Sequence, residues 1–287
     1  MTLLAVLLAL AAEHYASHVR DRHLWGNRGG WIAQWREHLA VTRLWQSRLW
    51  LAVLLVVPTL AVAWITVALP QPAGRLLWTA AVLFLCLGPR DLGSDVRRLV
   101  AARAAGDEAT AARVTRRLKA EEAPAAQRKD LLGSLFIQSH ERLFGPLIWL
   151  LVFGPAGAVF YRIASRAPHV YTQADGRVQS WADTVHDLAA WVPLRLTALL
   201  YALAGNVDAA LRERRALPAE LPWQARSWQL LARLATAALT DTSAAANDLP
   251  EVPELDAALK EVLRMQMRAL LILLAGFAVY TAGAWLS

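Results

Sequence analysis

Long apolar runs alternate with charged segments along the chain, and this pattern predicts an all-α, polytopic membrane protein. Several runs approach the roughly 20 residues with which a helix crosses about 30 Å of hydrocarbon. The five clearest runs cover 49–69, 76–87, 143–164, 188–205 and 269–286. We therefore expect about five spans, with a short apolar helix before them, in a single integral membrane domain over 1–287.

Three apolar segments are so short that they either cross the bilayer fully or insert only part of the way. These segments are 1–12, 76–88 and 188–205. A segment shorter than the hydrocarbon thickness either tilts little and thins the bilayer or inserts only part of the way. The sequence alone does not decide whether each of them crosses fully.

The distribution of basic residues predicts which segments face the cytoplasm. Segments 13–48, 89–142 and 206–268 hold six, eleven and eight lysines and arginines, whereas the turn 70–75 has one and the connector 165–187 has two. Cytoplasmic loops carry the excess of basic residues. We therefore expect 89–142 to be a cytoplasmic helical insertion, 206–268 a second one, and the connector to lie outside. If both central segments are re-entrant, the connector is cytoplasmic instead.

The polar segments contain further helix signals. In 89–142 the pattern predicts two helices separated at Gly106, with Asp107 as the N-cap of the second. In 206–268 it predicts an amphipathic helix over 228–239, with an apolar side, and a loop over 241–253. That apolar side consists of Leu230, Leu231, Leu234 and Ala238. Trp31, Trp35 and Leu39 recur every four residues and predict an interfacial helix within 13–48.

Composition supports the membrane class and argues against nucleic acid as a partner. Of the 287 residues 56% are hydrophobic, the mean hydropathy is +0.32, the net charge is +7 and the pI is about 10.2. In a membrane protein this charge reflects the positive-inside bias and attraction to anionic lipid headgroups. No basic recognition motif is present. The expected partners are the lipid bilayer and its anionic headgroups.

Two arginines lie in or beside the central apolar runs. Arg162 closes 143–164, and Arg195 lies inside 188–205. A guanidinium at bilayer depth is costly unless it finds a partner, so each marks a candidate functional site. The glycines and prolines of these runs predict kinked helices that pack closely on their neighbours. These residues are Gly145, Pro146, Gly154, Pro155, Gly157 and Pro193.

Acidic residues close to these arginines complete a candidate ligand site. Asp183 and Asp187 are four residues apart, so on a helix they share one face and could pair with Arg162 or, with it, bind a small polar ligand. The candidate ligand-binding residues are Tyr161, Arg162, Asp183, Asp187 and Arg195. The alternative is a salt-bridge network without a ligand. No nucleophile elbow, phosphate loop or dinucleotide fingerprint accompanies them, so no catalytic residue and no cofactor is assigned.

Metal chemistry has little support in the sequence. His14 and His18 are four residues apart, as zinc-binding histidines are on a helix, but no HEXXH motif is present. Both are weak candidates, and we expect no metal. The lone cysteine, Cys86, excludes an intrachain disulfide and a site built from several cysteines.

Three stretches carry a resemblance to a known family. MTLLAVLLAL, FGPLIWLLVFGPAGAVFYR and WVPLRLTALLYALAG resemble AmpE, of the AmpE/CobD-CbiB membrane protein family. Tyr161-Arg162 and the WVPLRL sequence at 191–196 match the CobD-like frame, but IASR at 163–166 replaces Asn-Thr-Leu-Asp, His186-Asp187 replaces Asp-Asp, and Ala190 stands at an Asn position. Among the family's polar residues, the resemblance carries over Tyr161, Arg162, Asp187 and Arg195.

The resemblance implies a bacterial inner-membrane, multi-pass protein, and three alternative functions stay open. The replacements favour an inner-membrane regulator or sensor of cell-wall-linked β-lactamase signalling, a non-enzyme with a polar Arg/Asp pocket between central helices and a cytoplasmic protein partner. The second is a membrane ligase of the CobD/CbiB type, which attaches aminopropanol to a corrinoid in cobalamin synthesis. The third is a structural assembly protein whose central motif only holds helices together.

Overall fold

The computed structural model is helical throughout and describes residues 2–19, 48–87, 92–120, 131–170, 176–218, 220–239 and 252–286, without a strand among them. The all-α prediction is confirmed. In chain order the helices are α1 (Thr2–Val19), α2 (Arg48–Ala68), α3 (Pro72–Cys86), α4 (Leu92–Ala104), α5 (Glu108–Ala120), α6 (Leu131–Ser139), a π-helical turn (His140–Phe144), α7 (Gly145–Val170), α8 (Gly176–Ala204), α9 (Val207–Ala216), α10 (Trp223–Leu239) and α11 (Val252–Leu286).

Four helical stretches in the described residues are long and apolar enough to cross a membrane. They are Arg48–Ala68, Leu131–Pro168, Ser180–Ala204 and Leu255–Ala282. These correspond to four of the five expected spans, while Thr2–Glu13 and Pro72–Cys86 are shorter apolar helices. The protein is a multi-pass inner membrane protein in contact with the lipid bilayer.

The central helices extend well beyond the apolar runs that predict them. The first apolar stretch begins at Leu131, α7 continues to Val170, and α8 begins at Gly176. The predicted connector over 165–187 is therefore wrong in extent, because most of it is helical. The hydropathy falls before the helix ends because Ser165, Arg166 and Pro168 are not apolar. The helix nevertheless continues to pack there, since Ser165 and Ala167 are buried.

Some predictions concern residues outside the described ranges. The interfacial helix with Trp31, Trp35 and Leu39 falls there, and so does the loop over 241–253 up to residue 251. The backbone of His14 and His18 belongs to α1, but their side chains lie outside the described part.

The helices form two compact units, the first of which comprises Met1–Pro89 and Gly145–Pro193. In this unit α7 packs against both α2 and α3, and α1 packs against α3. One side of α2 is apolar and exposed, as expected of a helix that faces lipid. Its exposed residues include Val56, Val57, Leu60 and Trp64.

The second unit comprises Arg90–Phe144 and Leu194–Ser287. Here α4 and α5 form a hairpin beside α6, α9 packs on α10, and α11 contacts α4, α6 and α10. A salt bridge of 2.9 Å from Arg103 Nε to Asp256 Oδ1 joins α4 to α11. The amphipathic helix predicted over 228–239 is the second part of α10, with Leu231, Leu234 and Ala238 buried and Leu230 half-buried.

The turn between α4 and α5 has the predicted chemistry. Gly106 adopts a φ of 70°, which favours glycine. The Asp107 carboxylate accepts a 2.9 Å hydrogen bond from the Thr110 N–H, so it is the predicted N-cap of α5. Hydrogen bonds from the Thr110 side chain and N–H lower the pKa of Asp107.

Candidate functional site

Helix α7 folds back on itself at Gly154, inside the first unit. Gly154 has φ 70° and ψ −162°, and the following Pro155 restarts the helix. A Cβ on Gly145 would lie 2.2 Å from Tyr161 Cε1, and the Trp149 and Phe160 ring centroids are 5.1 Å apart. In a straight helix, residues 145 and 161 would be about 24 Å apart. The prediction of kinked, closely packed helices is confirmed, and the bend is a full reversal.

The reversal brings Trp149 to a backbone group that a proline leaves available. Pro193 has no N–H, so it cannot donate to the carbonyl of Ala189 four residues earlier. The Trp149 Nε1–H donates to that carbonyl at 3.1 Å. A side chain from α7 therefore replaces a backbone hydrogen bond of α8, as an apolar environment requires.

Four of the five predicted site residues lie in the first unit. Tyr161 is fully buried, and its ring meets the His186 ring edge-on with centroids 6.4 Å apart. Arg162 is half-buried, and its guanidinium lies in the neighbourhood of Cys86. Asp187 is half-buried and Asp183 is exposed, and the two carboxylates interact with each other. An ion pair between Arg162 and these aspartates stays a prediction.

The fifth predicted residue, Arg195, belongs to the second unit. Its side chain is half-buried, and its NH1 atom donates a 3.3 Å hydrogen bond to Ser227 Oγ on α10. The guanidinium of Arg226 is close enough to interact with it electrostatically. The Ser227 hydroxyl donates in turn to the Trp223 carbonyl at 2.9 Å, so it positions Arg195, and the two guanidinium groups are the part suited to an oxyanion.

The most heavily buried polar cluster was missed by the sequence prediction. Five consecutive polar residues, Gln138, Ser139, His140, Glu141 and Arg142, are all buried, although apolar helix precedes and follows them. The last three belong to the π-helical turn His140–Phe144. π-Helical turns inside α-helices are rare and occur often at functional sites.

Contacts within the second unit hold this cluster in place. His140 Nδ1 lies 2.9 Å from Thr197 Oγ1 on α8, and its ring meets that of Trp228 edge-on at 6.0 Å. The Tyr201 hydroxyl donates to Ser139 Oγ at 2.8 Å. Thr197 and Tyr201 are both fully buried. An imidazole is thus fixed at two sides, by a hydroxyl and by an indole, and the next residue along the chain is the buried Glu141.

A signal for this cluster was present in the sequence. The run QSHER stands between LFI and LFGPLIW, so a polar patch interrupts an apolar stretch. The prediction assigned it to the end of the polar segment 89–142, because averaged hydropathy places the boundary after the last charge. Ionisable residues flanked on both sides by apolar helix are better read as an intramembrane site.

Neither a cluster of metal ligands nor a groove is found at the predicted site residues in the part of the chain that the structure describes. In the described ranges no group of three or more His, Cys, Asp or Glu side chains is placed to hold a metal ion. An open groove of about 490 Å³ lies between the start of α9, the end of α10 and α11, where Asn206, Glu261 and Arg268 line it. None of the five predicted site residues lines this groove.

Comparison with known proteins settles the family. Residues 2–220 match the family described as CobD/Cbib protein, which is most of the chain. The chain belongs to the CobD/Cbib family. It is similar to the cobalamin biosynthesis protein CobD of Chromobacterium violaceum, with 31% identity over 164 residues, 53% of this chain and 51% of the relative. It is also similar to the cobalamin biosynthesis protein CobD of Stutzerimonas stutzeri, with 29% identity over 179 residues, 55% of this chain and 54% of the relative.

The chain thus spans about half the length of the curated relatives it matches. No solved structure is similar enough to count as a match. The broad resemblance to the CobD/CbiB family is confirmed, whereas the narrower relation to AmpE is not shown.

The prediction of β-lactamase signalling is wrong. Both curated relatives are cobalamin biosynthesis proteins, and the family match extends through the departures at 163–166 and Ala190 on which that prediction relied. A few replaced polar residues do not remove a chain from its family. The alternative of a CobD-like membrane protein agrees better with the comparisons, and the preference for a non-enzyme loses its basis.

Proposed function

We propose that this protein is a CobD-type membrane enzyme of cobalamin synthesis, which joins an amino alcohol to a carboxylate of a corrinoid through an amide bond. The family match and the names of the two relatives support the pathway. The observation that carries enzymatic chemistry is the buried His140, held by Thr197 and followed in sequence by the buried Glu141, between two apolar helical stretches. Such groups are costly to bury, and this favours a chemical role over a structural one.

Amide formation needs a proton acceptor. An amino alcohol is a cation near neutral pH, and only its neutral amine attacks a carbonyl carbon. The carboxyl group of the corrinoid has to be activated first, by phosphoryl transfer from a nucleoside triphosphate, so that phosphate leaves as the C–O bond breaks and the C–N bond forms. Imidazole is the side chain best suited to accept that proton at physiological pH. In this proposal His140 is the general base, Thr197 orients its ring through Nδ1, and Glu141 is the second ionisable group of the site.

The residues predicted from the sequence have binding roles in this proposal. Arginines recognise carboxylates and phosphates through paired hydrogen bonds. Arg195, positioned by Ser227, and Arg226 are suited to an acidic group of a small polar ligand. Tyr161, Arg162, Asp183 and Asp187 form a second candidate set in the first unit, for polar groups of the corrinoid.

Other expectations stay proposals as well. Of segments 89–142 and 206–268, the parts before Leu131 and before Leu255 are proposed to be cytoplasmic parts of one membrane domain, with a cytoplasmic protein partner. A closer relation to AmpE, suggested by IASR at 163–166 and by Ala190, is proposed only as ancestry.

Complementation tests the activity. The full-length chain, expressed in a bacterium that lacks its own CobD, is expected to restore growth on corrinoid precursors and to yield the amidated corrinoid, detected by mass spectrometry. Loss of a general base lowers rates by about 10²–10⁴. His140→Gln should therefore lower the rate of product formation at least about a hundredfold. Glu141→Gln, which leaves the base in place, should lower it less, and Glu220→Gln, the same change at an exposed position, should leave it unchanged.

The results of these experiments test the proposed function and the assignment of His140 as the base separately. Absence of product from a chain that inserts normally in the membrane would refute the proposed function. Full product from His140→Gln would leave the function standing and refute the assignment of the base. Membrane levels of every variant, measured by immunoblot, exclude a trivial loss of protein.

A further inference from the structure

Helix α9 begins where a span ends. On the last part of α8, Leu196, Leu199 and Leu203 are 41%, 54% and 51% exposed, and their spacing places them on one side, as expected for a lipid-facing stripe. Only Gly205 and Asn206 separate this span from α9. The start of α9 must therefore lie at the level of the membrane surface.

The start of α9 is firmly fixed. The Asn206 side chain accepts a 3.0 Å hydrogen bond from the Ala209 N–H and caps the helix, and the Asn206 N–H donates to the Ala238 carbonyl at 2.9 Å. Ala209 and Ala210 are buried. One face of α9 is thus anchored, and the opposite face is left outward.

The outward face has an apolar centre and basic flanks. Val207 and Leu211 are 40% and 41% exposed and lie one turn apart. Successive residues are about 100° apart around the helix axis, which places Leu211 about 40° from Val207. Arg214 lies about 20° from Val207 on the side away from Leu211, and Arg215 lies about 40° past Leu211 on the other side. All four residues fit within an arc of about 100°. Arg212 falls outside this arc, about 60° past Arg215.

The arginines of this face have no acidic partner among the residues that the structure describes. Arg212, Arg214 and Arg215 are exposed. Of the two acids of the same helix, Glu213 pairs with Arg233 at 3.6 Å, and the exposed Asp208 falls about 20° beyond Arg215, outside the arc. An apolar stripe flanked by arginines is the pattern of a helix that lies in the headgroup region. Arginine stems cover apolar surface while the guanidinium reaches the phosphates.

We propose that α9 docks on the anionic lipid headgroups of the leaflet at the end of α8, with Val207 and Leu211 inserted between headgroups and with Arg214 and Arg215 on lipid phosphates. The position of α9 at a span end and its charge complementarity to anionic lipid support this occupant. The proposal is independent of the reaction proposed above.

An environment-sensitive fluorophore tests this docking. The full chain with Leu211→Cys in a Cys86→Ala background, labelled with NBD, is placed in nanodiscs of phosphatidylcholine with or without phosphatidylglycerol. The emission is expected to shift to the blue only with phosphatidylglycerol, and high salt should reverse the shift. Each flanking arginine strengthens docking about fivefold, so Arg214→Gln with Arg215→Gln should weaken it more than tenfold. Arg212→Gln, the matched change outside the arc, should have a much smaller effect.

Three results would overturn the proposal. An emission typical of water in both lipids would show that the face does not touch the bilayer. An equal shift in both lipids would show apolar insertion without recognition of anionic headgroups. A shift that depends on the number of protein copies per nanodisc would assign the face to a second copy of the chain.

Discussion

At the scale of single residues, the structure shows how a membrane protein tolerates a proline in a span. Pro193 removes one backbone hydrogen bond from α8, and the Trp149 indole supplies another donor to the Ala189 carbonyl. The two residues lie 44 positions apart, and only the reversal of α7 brings them to the same place. The sequence indicated Pro193 as a helix break, but it contained no sign of its partner.

A double-mutant cycle tests this compensation. Trp149→Phe leaves the Ala189 carbonyl without its donor and should lower the free energy of unfolding by about 1 kcal/mol beyond the loss of packing. In a Pro193→Ala background the new N–H can donate to the same carbonyl, so this extra cost should disappear. Unfolding in bicelles measures the four proteins. Additive effects would show that the two residues are not coupled.

The residue scale also explains why part of the site was missed. Tyr161, Arg162 and Asp187 are predicted because an arginine beside an apolar run is conspicuous in any sequence. His140 was assigned to a charged segment, since its neighbours Glu141 and Arg142 look solvated when averaged over a window. Its burial depends on contacts with Thr197 and Trp228, far away along the chain.

At the scale of elements, the reversal in α7 shows what hydropathy does not record. The stretch Leu131–Pro168 has 38 residues, and its apolar character is the same whether the helix continues or turns back. The decisive feature is Gly154, where a φ of 70° and a ψ of −162° are accessible to glycine but scarcely to other residues. The sequence predicted a kink there, but the angle depends on how Gly145 and Tyr161 pack.

Two glycine substitutions distinguish the effect of backbone strain from the effect of the added methyl group. Gly154→Ala should destabilise the protein by about 1–3 kcal/mol, because the reversal requires a backbone that L-residues avoid. Gly276→Ala, in regular helix with nothing within 4 Å of the added Cβ, should be neutral or stabilise by up to about 1 kcal/mol. Thermal unfolding in detergent measures both. Equal effects of the two changes would argue against strain at Gly154.

At the scale of the whole molecule, the two large polar segments meet in one unit. Arg103, from 89–142, pairs with Asp256, from 206–268. Charged residues seldom lie in hydrocarbon, so this pair is expected where both segments lie on one side of the membrane. The excess of basic residues predicts the same shared side without any knowledge of packing, because the positive-inside rule depends on charge alone, and the sidedness stays a prediction.

Cysteine labelling tests this sidedness. Ala112 on α5 and Ala216 on α9 are exposed, so in a Cys86→Ala background single cysteines at these positions should react with a membrane-impermeant maleimide. Both should react in inverted vesicles or permeabilised cells and neither in intact cells. Reaction of only one position from outside would contradict the shared location, and reaction of both from outside would reverse the predicted orientation.

The reversal at Gly154 has a consequence for biogenesis. A stretch that doubles back exposes peptide groups at its tip, and lipid cannot satisfy them. It therefore has to reach its final fold against a protein surface that is already in place. Helices α2 and α3, on which α7 packs, leave the ribosome before it does. The order of synthesis supplies the template before the element that depends on it, so a chain circularly permuted to begin at α7 should mature poorly even though its contacts are unchanged.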